Sequence, residues 1–119
     1  VRTESALTSE VLAHLRKIDP RLVVVKTNDR TTPGIPDVFI CKPSGYTVWV
    51  EVKRSTAANP NVSKLLTPTQ ARTLAKMAAL GVPYHVLVRT PWTWKLYDVH
   101  GFVMDLTPSS KETAAWLAQ

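Results

Sequence analysis

Three charged residues stand inside a stretch otherwise built for the middle of a sheet. Residues 34–53 read GIPDVFICKPSGYTVWVEVK, and among their Val, Ile, Phe and Trp residues lie Asp37, Glu51 and Lys53. In an extended strand, side chains two apart share a face, so Trp49, Glu51 and Lys53 lie on one side and Val48, Val50 and Val52 on the other. The segment KPSG between the two apolar runs carries the Pro and Gly of a tight connection, which predicts an antiparallel hairpin. Folding around that turn sets the start of the first strand, Asp37, beside the end of the second, near Glu51. Two carboxylates so placed repel one another unless one is protonated or a cation bridges them. Oxygen ligands without a neighbouring His or second Cys suit Mg²⁺ or Mn²⁺ better than Zn²⁺. Lys53, one strand repeat beyond Glu51, is placed to orient an attacking water or to stabilise charge developing on a phosphate. The plainer alternative is that Asp37 opens a strand after a Pro turn and that Glu51 and Lys53 form the solvated face of an edge strand.

The elements that must position these residues can be read from periodicity and caps. Leu7, Val11, Leu12 and Leu15 recur at helical spacing from Glu4 to Lys17, and Asp19-Pro20 ends that amphipathic helix. Leu22 to Lys26 forms a short strand, and TNDRTTPGIP an irregular loop. Asp37 to Cys41 and Tyr46 to Lys53 are the two arms of the hairpin. A long polar segment, RSTAANPNVSKLL, then leads to Thr67-Pro68-Thr69-Gln70. There Thr67 serves as N-cap, Pro68 as first helical residue and Gln70 as capping-box partner of a helix reaching Leu80, stopped by Gly81 and Pro83. Tyr84 to Val88 is a strand. WTWKLYDV and FVMDL make a second hairpin meeting at His100-Gly101, and a last helix starts near Ser109, with Glu112 spaced as its capping-box partner. The order, helix, three strands, helix, strand, two strands, helix, predicts a mixed α/β sandwich with helices over a central sheet.

With 119 residues, 45% hydrophobic and 20% charged, the chain has the length and composition of one folded domain. Its formal net charge of +6 favours polyanionic partners, nucleic acid first. No run approaches the length of a membrane span, and the N-terminus carries no apolar signal core. Cys41 is the one cysteine and cannot form an internal disulfide, so a reducing, cytoplasmic setting is expected; continuing an apolar strand, it reads as a core residue. His14, His85 and His100 are dispersed without metal-ligand spacing, and Trp92 and Trp94 read as a sheet face or an interface.

Pro36-Asp37 followed, after thirteen intervening residues, by Glu51-Val52-Lys53 resembles the PD-(D/E)XK nuclease superfamily. The GIPD turn, the entry LTPTQ to the following helix and the acidic start of ESALTSEVLAHL are similar to the branch containing the VRR-NUC domains and the archaeal-type Holliday junction resolvases. The resemblance covers roughly residues 4–88 and implies the αβββαβ, restriction-endonuclease-like core. The C-terminal hairpin and helix, from about residue 92 to 119, have no assigned counterpart.

The resemblance implies a metal-dependent phosphodiesterase. Asp37, Glu51 and the Val52 carbonyl would hold Mg²⁺ or Mn²⁺, and Lys53 would position the water. Glu4 would support the metal directly or through water, and Gln70 would be an accessory polar group. Glu10 is the competing acid on the first helix, but six residues from Glu4 it does not share a face with it. Gln70 has the capping box as a sufficient reason of its own. Lys26, Arg30, Lys42, Arg54, Lys64, Arg72, Lys76 and Arg89 are candidate contacts to backbone phosphates. A chain this size leaves no room for a separate sequence-reading domain, so shape would guide recognition. A twofold-symmetric four-way junction would call for a homodimer. The expected activity is thus a Holliday junction resolvase. Other VRR-NUC-like flap, nicking or restriction-type nucleases, and a non-cleaving DNA-binding module, remain as alternatives.

Overall fold

In the computed structural model, which describes residues 3–27, 34–98 and 100–119, the apolar faces read from the sequence meet around one six-stranded sheet. The elements are α1 (Glu4–Ile18), β1 (Val23–Lys26), β2 (Val38–Cys41), β3 (Thr47–Arg54), α2 (Val62–Leu65), α3 (Pro68–Ala79), β4 (Tyr84–Arg89), β5 (Trp94–Asp98), β6 (Gly101–Asp105) and α4 (Ser110–Ala118). The strands lie in sequence order, β1 to β6. Every neighbouring pair is antiparallel except β3 and β4, which run parallel because the chain returns through α2 and α3.

Alternation along the strands assigns the two faces. Val48, Val50 and Val52 join Val38, Ile40, Leu87, Trp94 and Leu96 on the side covered by α1 and α4. Leu7, Val11, Leu12 and Leu15 supply the α1 side of this core, and Ala114 and Leu117 the α4 side. On the other face, Val86, Val88 and Tyr97 pack against Leu74 of α3 and the partly buried side chains of α2. β5 and α4 are therefore built into the main core, whereas β6 is exposed along its length.

The caps follow the sequence with one exception. Thr67 Oγ1 accepts the Gln70 N–H, and the Gln70 side chain accepts the Thr67 N–H, completing the expected box. At α4, Ser109 accepts the Glu112 N–H, but the Glu112 carboxylate takes the Thr107 hydroxyl and the reciprocal half of the box does not form. The four-residue α2, capped by Asn61, interrupts the segment that the sequence leaves as loop. Cys41 is half-buried at the outer end of β2, outside the core. Trp94 is fully buried and Trp92 exposed, because Trp92 lies in the turn before β5 and does not alternate with Trp94 on a strand. Arg30 lies outside the described residues.

Candidate active site

The hairpin register determines the site. Val38 pairs with Val50 at the end of the β2–β3 ladder, so Asp37, the residue just before β2, stands across from Glu51. The turn that gives this register closes through Lys42 N–H to the Tyr46 carbonyl and Gly45 N–H to the Lys42 carbonyl, with Gly45 at φ +87°. At the other end, Gly34 has φ +88° and lies so close to α3 that a β-carbon there would be 2.7 Å from the Thr69 carbonyl oxygen. This close approach, which only glycine permits, delivers Pro36 and Asp37 to the sheet directly under the start of α3.

Beyond Val50, β3 runs on without β2 beside it, and side chains replace the missing strand. Val52 N–H donates to Asp37 Oδ2 at 2.9 Å, and Arg54 N–H donates to Glu4 Oε2 at 3.0 Å. The N–H and C=O of one strand residue face the same edge, so the Val52 carbonyl opens toward this gap, between the two acids. Asp37, Glu4 and the Val52 carbonyl thus meet at one edge of β3.

Glu51 lies on the α3 face of the sheet and is 2% exposed. Gln70 Nε2 donates to its Oε1 at 3.0 Å, and Lys53 Nζ stands 3.7 Å from the same oxygen, itself 8% exposed. Burial, and then the charge of Asp37, push the Glu51 carboxyl up to about 8, against the opposing pull of Lys53. At neutral pH the pair therefore carries a proton that a cation can displace. Among the described residues no three His, Cys, Asp or Glu side chains gather closely enough to hold a metal by themselves. The donors the site offers are instead the Asp37 and Glu51 carboxylates and the Val52 carbonyl, all hard oxygens, with the remaining positions left to water. That set fits Mg²⁺ or Mn²⁺.

The other candidate residues divide. Gln70 serves both as helix cap and as Glu51 partner, so its two readings coexist in one amide. Lys26, across from Val38, reaches α1, donating to Ser5 Oγ at 3.1 Å and Ser9 Oγ at 3.2 Å. Arg54 and Arg89 pair at the ends of β3 and β4. Lys64, Arg72 and Lys76 are exposed on α2 and α3, with Arg72 donating to Thr69 Oγ1. Lys42 does not join the site. It follows β2 at the end opposite Asp37, roughly 17 Å away along the strand, where it bonds the Gln119 carbonyl and lies over the Tyr46 ring. Sequence proximity misplaces Lys42 because the hairpin sends its turn away from its open end. Glu10 lies almost two turns along α1 from Glu4, and it is the Glu4 carboxylate that bonds the β3 backbone.

No family model matches the chain, and no curated protein matches it. Solved structures do. A structure described as a VRR_NUC domain aligns with a TM-score of 0.54 and 22% identity, over 73% of this chain and 84% of that one. Archaeoglobus fulgidus Hjc, a Holliday junction resolvase from an archaeal hyperthermophile, aligns with a TM-score of 0.60 and 16% identity, over 97% of this chain and 99% of that one. The second likeness extends through most of the C-terminal hairpin and helix, for which the sequence offers no counterpart. With its mixed six-stranded sheet and flanking helices, the chain has the fold of the PD-(D/E)XK nucleases, to which both neighbours belong.

Proposed function

We propose that this chain is one nuclease domain, a divalent-metal-dependent, structure-selective DNA endonuclease that resolves four-way junctions as a homodimer. The observation that carries the reading is Glu51, a carboxylic acid buried across from Asp37 and within 3.7 Å of the Lys53 ammonium. Burying such a group costs stability, and perturbed carboxyls beside a lysine cluster at functional sites. The choice of four-way junctions is supported by the near-complete overlap with Archaeoglobus fulgidus Hjc. The net charge of +6 supports a polyanionic substrate.

Asp37, Glu51 and the Val52 carbonyl would hold the metal, with Glu4 beside them. The chemistry supplied by a bound divalent ion is neutralisation of the scissile phosphate and acidification of its coordinated water. Gln70 fixes the Glu51 carboxyl by hydrogen bonding to one oxygen. Lys53 Nζ, 3.7 Å from that carboxyl, orients the attacking water and offsets negative charge as the phosphate becomes five-coordinate.

A second reading, a flap or nicking nuclease, is favoured by the likeness to the VRR_NUC domain. A panel of labelled four-way junction, flap and linear duplex DNA, with Mg²⁺ or Mn²⁺, separates the two. Paired symmetric nicks across the junction are expected. Preferential flap cutting would favour the second reading, and binding without any cutting would leave a DNA-binding module on the nuclease fold.

A further inference from the structure

Arg54 and Arg89 occupy the last facing positions of the two parallel strands β3 and β4, so two guanidinium-bearing side chains leave the sheet side by side on the face covered by α1. Both arginines line an open pocket of about 240 Å³, bounded by Leu7 of α1 and by Ser55 and Thr56 just past β3.

The pocket is built rather than incidental. Ser55 N–H donates to the Arg89 carbonyl at 3.0 Å, tying the two strand ends together. Arg89 Nη1 donates to the Thr90 carbonyl, so its guanidinium is held in place. The turn behind it is locked as well: the Thr90 hydroxyl accepts the N–H groups of Trp92 and Thr93 at 3.2 and 3.1 Å. Arg54 directly follows Lys53, and its own N–H is bonded to Glu4, so the pocket abuts the candidate active site.

We propose that Arg54 and Arg89 form one clasp for a single tetrahedral oxyanion, a phosphate of the DNA strand adjacent to the phosphate being cut. The inference rests on the nuclease reading for its substrate. Two guanidinium groups offer several donors to a phosphate, and Ser55, whose Oγ accepts the Ala57 N–H at 3.1 Å, and Thr56 line the same pocket. Because both arginines hold the same phosphate, their contributions are not independent.

The test is the salt dependence of binding. A labelled four-way junction is titrated in EDTA, without cleavage, over a series of KCl concentrations. The proteins compared are the wild type, Arg54→Ala, Arg89→Ala, the double variant and Arg21→Ala. Arg21 serves as control because it pairs with Asp19 about 20 Å away, at the far end of α1. Truncating Arg54 leaves its N–H bond to Glu4 in place. With one clasp in each protomer of the dimer, each single variant and the double are expected to lower the slope of log K against log[salt] by the same amount, about 1.8, the value for two phosphates. Arg21→Ala should leave the slope unchanged. A loss in the double variant of about 3.6, twice that of either single variant and the sum for separate phosphates, overturns the clasp, and so does an unchanged slope.

Thermal melts with inorganic phosphate against chloride at matched ionic strength distinguish the source of the anion. Phosphate should raise the melting temperature of the wild type and not of the double variant. If the wild type binds no DNA, the nuclease reading itself fails; a phosphate-dependent rise lost in the double variant would then assign the pocket to a free phosphate. Junction binding with an unaltered slope overturns the clasp alone.

Discussion

Gln70 Nε2 donates to Glu51 Oε1 across 3.0 Å, which bonds the first turn of α3 to a buried acid on the central strand. The carbonyl end of the same amide accepts the Thr67 N–H at the helix cap. Gln70→Ala should therefore act twice. Losing its part of the cap should lower stability by about 1 kcal/mol. Losing the orientation of Glu51 should lower cleavage by roughly 10–100-fold. A thermal melt and single-turnover cleavage measure the two effects. Unchanged cleavage with lowered stability would reduce Gln70 to a cap.

The displaced titration of Glu51 gives the metal-free protein a pH signature. Its folded value near 8 lies above the ordinary 4.5, so between these limits the native state keeps a proton that the unfolded chain has lost. The associated stability is complete below pH 4.5 and is lost as pH rises through 8. Glu51→Gln should melt near the wild-type temperature at pH 5 and several degrees above it at pH 9, since 1 kcal/mol moves a domain of this size by about 3–6 °C. Parallel melting curves for the two proteins across that range would refute the shift.

Binding of a divalent cation displaces the same proton. The rise in melting temperature produced by Mg²⁺ or Mn²⁺ should grow from pH 6 to pH 8.5 and vanish on chelation. In Asp37→Asn it should be lost at every pH. An Asp37→Asn protein stabilised as strongly as the wild type would place the metal elsewhere.

Chemistry and DNA binding should separate. Asp37→Asn retains an acceptor for the Val52 N–H, and Lys53→Met retains most of the apolar stem. Both should stay folded, lose at least about 100-fold in cleavage and bind the four-way junction nearly as the wild type does. Gel-shift and cleavage assays on the same preparations check this. Wild-type cutting by both variants would remove these residues from the mechanism.

Gly34 tests the support behind the site. Alanine there combines φ +88° with a β-carbon 2.7 Å from a backbone oxygen of α3, a strain of about 1–3 kcal/mol. The variant should melt at a lower temperature, and cleavage should fall more than junction binding, because the displaced segment carries Asp37. An unchanged melting temperature would mean that the segment and α3 do not approach so closely.

Much of this arrangement was legible because it depends on local rules. Strand alternation separates Glu51 and Lys53 from Val50 and Val52, and the KPSG turn brings Asp37 across from Glu51. Thr67-Pro68-Thr69-Gln70 announces the start of α3. What escaped depends on distant parts of the chain. The facing of Arg54 and Arg89 comes from a parallel pairing made only after α2 and α3 have crossed over. The docking of α4 on α1, which joins the C-terminal segment to the core, has no local signal. The four-residue α2 is too short for periodicity to reveal, being stabilised by its Asn61 cap and by contacts beneath it.

The two acids that bond Val52 and Arg54 also guard the sheet. A strand whose neighbour stops short presents open N–H groups on which a foreign strand can build, a usual route to aggregation. Here the Asp37 and Glu4 carboxylates occupy those N–H groups with charge, which an incoming backbone would have to displace. A chain stripped of both acids would therefore lose more than a reaction centre: it would offer other chains a sticky edge, and its poor solubility could be mistaken for a failure to fold.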